Sequence, residues 1–247
     1  MHRWVTSLWH AHKDKPIFVV GNGKSKELYD IRKLREKGPI IACNYAYKFH
    51  PVDYLTFRDI VFTGAKNALG NPNIKLNVFE TCVLEFEGPK IMPFMRAGFR
   101  YGKNGRQYFS KKLEALCDMQ DDIYYFHWQR GHPYGRNRSE PDFTKNVISK
   151  GSSGLQGIML AYIMGGNPII LVGMDCCALE GEKSSNAYYA DATRLKVPMG
   201  NLMTTRHLKR SYLANMRFNK RHRHETQFLK LGNYGLMEIP WTEPEKL

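Results

Sequence analysis

The 247-residue chain carries 37 basic and 23 acidic residues, a formal net charge of +14, and 43% hydrophobic residues. This length suits one α/β domain over residues 1–247, and the longest apolar run is too short to span a membrane. The five cysteines form neither a metal-ligand nor a disulfide pattern, and the N-terminus lacks a signal peptide's apolar core, so the composition favours a cytoplasmic protein.

The first predicted elements form a β-α-β unit. A basic, aromatic arm precedes an apolar strand at 16–21, and Ser25 opens a helix at 26–37 whose apolar face contains Leu28, Ile31 and Leu34. Strands follow at 39–44 and 52–57, and weaker strand patterns occur at 74–79 and 82–86. Residues 88–112 are predicted to form an irregular basic segment, part of an insert or lid region over 88–145.

The second half of the chain supplies the remaining predicted elements. They are a short helix at 111–117, a strand at 122–127, a loop at 130–144, an apolar helix at 155–164, a buried strand at 168–172, a loop at 180–201, a helix at 205–218 and a final strand and turn at 228–239. The fully apolar strand at 168–172 belongs at the centre of a parallel sheet. The predicted fold is therefore α/β and Rossmann-like, with a mostly parallel sheet, helices on both faces and a basic insert.

The positive charge is concentrated in two segments without acidic residues. Residues 88–113 carry seven basic residues and residues 192–224 carry nine, while the other 21 nearly balance the 23 acidic ones. Aromatic residues alternate with the basic ones in the first segment, a pattern that favours a nucleic acid over an anionic glycan, a membrane surface or a solvated face. The residues predicted to bind the polyanion are Arg96, Arg100, Lys103, Arg106, Arg206, Lys209, Arg210 and Arg217.

The first strand ends in a glycine-rich turn at residues 21–25. A P-loop requires a glycine where the sequence has Phe18, and a dinucleotide fingerprint requires one at Lys26, so ATP hydrolysis and NAD binding are both poor fits. Asn22 and Asn44 follow the first two predicted strands, and their amides both donate and accept hydrogen bonds, which suits a nucleoside. An ordinary strand-to-helix turn is the alternative.

A second turn, at residues 150–154, precedes the apolar helix. Serine hydroxyls and free N–H groups at a helix start favour an anion, and Lys150 adds a positive charge. Helix capping by Ser152 or Ser153 is the alternative, and it does not exclude anion binding. The two turns together predict an enzyme that handles a nucleotide.

These turns, with Cys43-Asn44 and the segment Leu171-Val172-Gly173-Met174-Asp175, resemble the Rossmann-like bacterial sialyltransferases and the related motility-accessory and pterin-diphosphokinase-like proteins. The order and spacing of the segments are similar across the core strands, and the similarity is weakest from 60 to 145. The sequence departs from the family at Cys176-Cys177, which replaces a tyrosine-containing motif, and at Lys24, where proline is common. The resemblance implies a Rossmann-like glycosyltransferase with a nucleotide-activated sugar donor.

The resemblance also implies residue roles. Tyr188 and Tyr189 would hydrogen-bond the leaving phosphate, and His207, at the head of the last helix, would act as the base on the acceptor hydroxyl, with His127 and His132 as substitutes for it. The donor-binding set from the turns and the resemblance is Gly21, Asn22, Gly23, Ser25, Asn44, Lys150, Ser152, Ser153, Gly154, Gly173 and Asp175.

The predicted function is that of a metal-independent, inverting glycosyltransferase that uses a CMP- or UDP-activated sugar as co-substrate and no cofactor. The localised charge favours DNA carrying a hydroxylated base as acceptor over an anionic cell-surface glycan. One alternative is a nucleic-acid-binding Rossmann protein without catalysis. Another is a diphosphokinase-like enzyme, in which Asp175 with Glu180, Glu182 or Asp191 would hold Mg²⁺.

Overall fold

The structure is a computed structural model. It describes residues 2–48, 50–57, 83, 85–96, 100–101, 107–108, 111–128, 142–148, 152–175, 205–232 and 238–247. The helices are α1 (Ile31–Lys37), α2 (Lys111–Asp118), α3 (Ser153–Ile163) and α4 (Thr205–His222). The strands are β1 (Arg3–Trp4), β2 (Ile17–Val20), β3 (Ile40–Cys43), β4 (Tyr54–Thr56), β5 (Lys90–Pro93), β6 (Arg100–Tyr101), β7 (Gln107–Tyr108), β8 (Ile123–Trp128), β9 (Val147–Ile148), β10 (Ile169–Val172), β11 (Phe228–Leu231) and β12 (Trp241–Thr242).

Ten of these strands form one parallel sheet. Its order is β1-β8-β5-β4-β3-β2-β10-β11-β12, and β9 pairs with β8 outside this path; β6 and β7 form a separate antiparallel pair. From β2 the chain adds β3, β4, β5 and β8 in turn on one side, and β10, β11 and β12 in turn on the other side. Strand β1 lies at the outer edge, beside β8. The predicted Rossmann-like α/β fold with a mostly parallel sheet is confirmed.

The central strands are buried on both faces because helices cover each side of the sheet. Every residue of β2, β3 and β10 is buried, as the continuous apolar runs predict. Ile31 and Leu34 of α1 pack with Phe18 on one face. On the other face, α3 packs with Ile17, Val19 and Ile41, and α4 adds Ala214 and Phe218. Gly157 brings α3 close to the sheet, since a Cβ there would lie 2.8 Å from Val19 Cγ1.

The N-terminal arm pairs with the sheet and contacts the end of α3. Arg3 and Trp4 pair in parallel with Tyr124 and Tyr125 of β8. The N–H groups of His10, His12 and Asp14 then donate to the carbonyls of Ile163, Met164 and Gly165 at 2.9–3.0 Å. The last carbonyls of a helix lack partners within the helix, so the arm satisfies the carbonyl of the last residue of α3 and the two carbonyls that follow it.

The predicted helix at 26–37 is wrong in its first part. A 3-10 helix at Lys24–Leu28 is followed by a break, and α1 begins only after Asp30, whose side chain accepts a hydrogen bond from the Arg32 N–H at 3.0 Å. Asp30 is a helix N-cap because a short carboxylate satisfies a free N–H of the first turn. Leu28, predicted on the buried face, is 57% exposed.

The region predicted as an insert contains part of the core. β5 and β8 both lie within 88–145 and pair with each other in the sheet. Lys90 is the first residue of β5, and its charge interrupts the apolar run by which a buried strand is predicted. Its side chain is 1% exposed and donates to Asp122 Oδ2 at 2.6 Å, so Lys90 is not a surface cation. The predicted strand at 82–86 is also wrong, because Val83 and Glu85 are helical. The elements predicted at 74–79 and 180–201 lie outside the described residues.

In the part of the chain that the structure describes, no helix combines the length and apolarity needed to cross a membrane.

Three partly buried histidines predict a loss of stability on acidification. Burial lowers the pKa of His12, His50 and His222 below the usual 6.5, so the unfolded chain binds more protons than the folded one just below that pH. Stability therefore rises with pH through this range. We expect the melting temperature to fall between about pH 7.5 and about pH 5.5. His12 Nε2 lies 2.8 Å from Tyr54 Oη, and glutamine keeps a donor for this oxygen, so we expect the variant His12→Gln to reduce the fall in melting temperature. The exposed control His224→Gln should show the full fall. A full fall in His12→Gln as well would contradict the assignment to His12.

Candidate functional site

The predicted donor residues converge at the carboxyl edge of the sheet. Strands β2 and β10 pair directly, so the loops that follow them are neighbours at this edge. After β2 the chain continues to β3 on one side of the sheet, whereas after β10 it continues to β11 on the other side. This is the topological switch point, where open α/β sheets bind ligands. Asn44 follows β3 at the same edge, and α3 begins beside it. We call the group formed by Asn22, Asn44, Ser152 and Ser153 the carboxyl-edge site.

The glycine-rich turn after β2 is joined to the loop after β10 by backbone hydrogen bonds. Gly21 N–H donates to the Val172 carbonyl at 2.8 Å, and Gly23 N–H donates to the Gly173 carbonyl at 2.7 Å. We call this contact between residues 21–25 and 172–175 the loop seam. The N–H groups of Gly21 and Gly23, two predicted donor-binding residues, are therefore not available to a phosphate, because each is already paired to a carbonyl.

The glycines of the seam are required by close approach of the two loops. A Cβ on Gly21 would lie 2.5 Å from the Gly173 carbonyl oxygen, and one on Gly23 would lie 2.5 Å from Asp175 Oδ2. Gly173 itself has φ +62°, a left-handed conformation that glycine adopts without strain. Gly154, at the start of α3, packs against the end of the Met174 side chain, and a Cβ there would lie 2.4 Å from Met174 Cε.

Asp175 and Ser25 complete the seam. The Ser25 N–H donates to Asp175 Oδ2 at 3.0 Å, and the Ser25 hydroxyl donates to Oδ1. Both residues are buried, at 3% and 2% exposure. Burial raises the pKa of the Asp175 carboxyl, whereas the hydrogen bonds from Ser25 favour its ionised form. Ser25 and Asp175, both predicted to bind the sugar donor, therefore bind each other, and this contact holds the turn after β2 against the loop after β10.

The two asparagines and Ser153 connect the ends of β2, β3 and α3. Asn22 Nδ2 donates to the Cys43 carbonyl at 3.4 Å, and the Ser153 hydroxyl donates to Asn44 Oδ1 at 3.2 Å. Asn44 has φ +53°, a conformation that asparagine tolerates better than most residues. Burial raises the pKa of the Cys43 thiol to about 12, so this cysteine is an uncharged packing group. Asn22 and Asn44 are half-buried.

The N-terminus of α3 faces this site. Ser152 is the N-cap, and its hydroxyl accepts a hydrogen bond from the Leu155 N–H at 3.2 Å, which confirms the predicted capping role. The first turn of α3 contains no acidic side chain, so nothing within that turn offsets the positive end of the helix dipole. Lys150, predicted to add charge here, lies outside the described residues.

Gln156 is a candidate that the sequence reasoning missed. It lies one turn into α3 and is 1% exposed, and among the residues that the structure describes neither atom of its side-chain amide has a hydrogen-bond partner. A buried amide without partners is costly, and it needs an explanation in a ligand, a water or a function. The available signal was a glutamine within the otherwise apolar run from Leu155 to Ile163.

The proposed catalytic and acceptor residues are described only in part. Tyr188, Tyr189, His132, Lys103 and Arg106 lie outside the described residues. For Arg100 of β6 and for the first turns of α4 the structure describes the backbone alone; that part of α4 contains Arg206, His207, Lys209 and Arg210.

The last turn of α4 lies at the amino edge of the sheet. Its last turn leads to Thr226, whose hydroxyl donates to the Gly166 carbonyl just before β10, at the amino edge. Arg217 lies next to Phe218, which contacts Tyr162 near the end of α3. His207 is 11 residues before Phe218, about 16 Å along the helix from the end that lies at the amino edge. His207 therefore lies farther from the amino edge than the predicted polyanion residue Arg217.

A second group of predicted residues lies beyond β5. Arg96 is exposed, and its guanidinium is 5.6 Å from the centre of the Phe94 ring. His127 is also exposed and contacts the Trp4 ring at 4.6 Å. Within the described ranges, no three His, Cys, Asp or Glu side chains lie together as a metal site would require; independence from metal stays a prediction.

The sheet order and the carboxyl-edge site define a Rossmann-like α/β protein with its candidate site at the switch point. No protein-family model matches the chain, and no curated protein sequence matches it. The MAf glycosyltransferase from Magnetospirillum magneticum AMB-1 superposes on it with a TM-score of 0.57 and 13% identity, over 97% of this chain and 35% of that one.

Two sialyltransferases from Campylobacter jejuni are also similar. CstII in complex with cytidine-5'-monophosphate has a TM-score of 0.49 and 14% identity, over 94% of this chain and 86% of its own. The monofunctional α-2,3-sialyltransferase Cst-I has a TM-score of 0.48 and 12% identity, over 92% and 80%. The present chain spans about a third of the MAf enzyme. The likeness to MAf confirms, for the fold, the resemblance that the sequence motifs predicted.

Proposed function

We propose that this protein is a glycosyltransferase that uses a nucleotide-activated sugar. The observation that carries the proposal is the convergence of Asn22, Asn44 and Ser153 with the capped start of α3 at the switch point. The amides are suited to ribose hydroxyls or base edges, and the positive end of α3 is suited to the phosphate. A donor of the CMP or UDP type fits this pairing of a neutral nucleoside site with one anion site.

The proposed reaction is an inverting displacement. The acceptor hydroxyl oxygen bonds to the anomeric carbon while the bond from that carbon to the nucleotide phosphate oxygen breaks, and the phosphate leaves with the electron pair. His207 takes the proton of the hydroxyl, and Tyr188 and Tyr189 donate hydrogen bonds to the leaving phosphate. These three roles rest on the sequence resemblance.

The proposed acceptor is polyanionic, with DNA carrying a hydroxylated base preferred to an anionic cell-surface glycan. The support is the distribution of charge: the net +14 arises from two segments without acidic residues. Phosphates of a nucleic acid would be neutralised by such segments, and the association would weaken with salt. A binding protein without transferase activity is the second candidate, and it would keep acceptor binding while showing no nucleotide-dependent stabilisation.

The donor site is tested by a panel of CMP-, UDP- and GDP-sugars in a thermal-shift assay, followed by calorimetry with the strongest. We expect the variant Asn44→Gly to weaken nucleotide binding by about tenfold, the equivalent of about one or two lost hydrogen bonds. Glycine is chosen because residue 44 has φ +53°, so the change removes the amide without straining the backbone.

The matched control is Asn146→Gly. Asn146 has φ +56° and accepts a hydrogen bond from the Thr6 N–H, away from the carboxyl-edge site. The control is expected to lower stability and to leave nucleotide affinity unchanged. If no nucleotide raises the melting temperature of the unaltered protein, or if both glycine variants bind equally well, the proposed donor site is wrong.

A further inference from the structure

A cavity of about 210 Å³ lies between the sheet and α2, separate from the carboxyl-edge site. Three of its lining residues are aromatic or imidazole rings and three are charged: His2, Phe94, Tyr125, Arg96, Glu114 and Asp118. We call it the ring pocket. Its volume is below the range of sites for drug-sized ligands, so it suits a single small ring.

The rings of the pocket hold one another in place. Phe94 and Tyr125 meet edge to face, with centres 5.4 Å apart and planes at 89°. The His2 ring lies 5.0 Å from Phe94 and 5.1 Å from Tyr125, also at steep angles. Edge-to-face contacts of this kind are favourable. The Arg96 guanidinium over Phe94 extends the stack toward solvent.

The charged groups define the hydrogen-bonding pattern of the ligand. A guanidinium only donates, whereas the carboxylates of Glu114 and Asp118 accept. A matching ring therefore carries both an acceptor and an amino donor. Two carboxylates would repel a phosphate, so the group inside the pocket carries no negative charge. The amino-bearing nucleobases combine a flat face with this pattern; cytosine, for instance, presents an exocyclic amine beside ring acceptors.

The surroundings favour a base that belongs to a nucleic acid. Phe94 and Arg96 belong to the segment at 88–113, which carries seven basic residues and no acidic one. A pocket for an uncharged base beside a cationic segment matches a base whose flanking phosphates remain outside the pocket. The pocket's β5 is also two strands from β3, about 10 Å along the sheet, which a nucleotide sugar at the carboxyl-edge site can bridge.

We propose that the ring pocket receives one amino-bearing nucleobase of a single-stranded or locally unpaired nucleic acid. The inference names the acceptor of the proposed transferase and rests on that function for its biological meaning. The binding step itself requires no sugar donor, so it is measured without one.

The test uses the full chain and fluorescence anisotropy. The probes are labelled oligothymidylates of about 12 nucleotides, one with a single central cytosine and one without. We expect the cytosine probe to bind about tenfold more tightly, since thymine lacks the amino donor. Glu114→Ala and Arg96→Met are expected to abolish this preference with little change in melting temperature, because both side chains are at the cavity surface.

The matched control is Lys33→Met, which removes an equal charge from an exposed residue of α1 that lies outside both basic segments. It is expected to retain the cytosine preference. The proposal would be overturned by equal binding of the two probes or by an unaltered cytosine preference in Glu114→Ala. It would also be overturned, in favour of a glycan ligand, if sialyllactose displaced the probe and this displacement were lost in Arg96→Met and Glu114→Ala. A cytosine preference without any nucleotide-sugar binding would instead contradict the proposed transferase and leave the pocket assignment intact.

Discussion

Gly23→Ala is expected to lower the free energy of unfolding by about 3 kcal/mol and to abolish nucleotide binding. The added Cβ would lie 2.5 Å from Asp175 Oδ2 and 2.6 Å from the Gly173 carbonyl oxygen, both inside van der Waals contact. Neither neighbour can move freely, because the Gly173 carbonyl accepts from Gly23 N–H and the Asp175 carboxylate accepts from Ser25. The loop seam would have to open.

The loss of binding has the same physical cause. Asn22 stands between the two glycines of the seam, and its Nδ2 reaches the Cys43 carbonyl only because the turn is held against β10. Urea denaturation followed by tryptophan fluorescence gives the stability, and calorimetry with the preferred nucleotide gives the affinity. Glu36→Ala, an exposed change in α1, is the control and should alter neither. A Gly23→Ala protein of unchanged stability would show that the seam is less close than described.

His207→Ala is expected to reduce sugar transfer by about 10²–10⁴-fold while changing nucleotide affinity less than about twofold. A general base acts on the proton that leaves in the transition state, so its removal lowers kcat and leaves ground-state donor binding intact. Release of free nucleotide from the donor, with and without acceptor, measures the rate. The expectation rests on the family resemblance.

The control is His224→Ala, which removes an exposed histidine just beyond the other end of the same helix. It should retain full activity, because residues 222–227 lie at the amino edge, where Thr226 contacts Gly166. Equal losses in the two variants would indicate an effect on α4 as a whole. Full activity in His207→Ala would remove His207 from the proposed mechanism, with His127 the next residue to test.

Asp175 illustrates how a sequence motif and a structural role differ. Its position after a buried strand suggested contact with the donor, but its carboxylate is occupied by Ser25. Sequence spacing places residues at the end of a strand; it does not say whether a side chain turns toward a ligand or toward the next loop. The choice depends on neighbours that come from 150 positions away along the chain.

The sequence by itself determined the elements of strongest periodicity. The apolar runs of β2, β3 and β10 and the helix α3 were predicted within a residue or two, because burial on both sides leaves no polar position to confuse the pattern. It also determined that Asn22 and Asn44 stand just after strands and Ser153 at the start of a helix, and hence that these three residues belong to one edge. Strand β5 was not predicted because its first residue, Lys90, is charged. Lys90 is buried only through its pairing with Asp122, which directly precedes β8.

Only the tertiary structure decided what the glycines and the charges do. The glycines at 21, 23 and 173 allow two loops to touch, which depends on β2 and β10 being neighbours in the sheet although they are far apart in the chain. The basic residues of α4 form one block in the sequence, yet a helix rises about 1.5 Å per residue, so the block extends away from the amino edge of the sheet. Sequence records adjacency along the chain, whereas a site depends on adjacency in space.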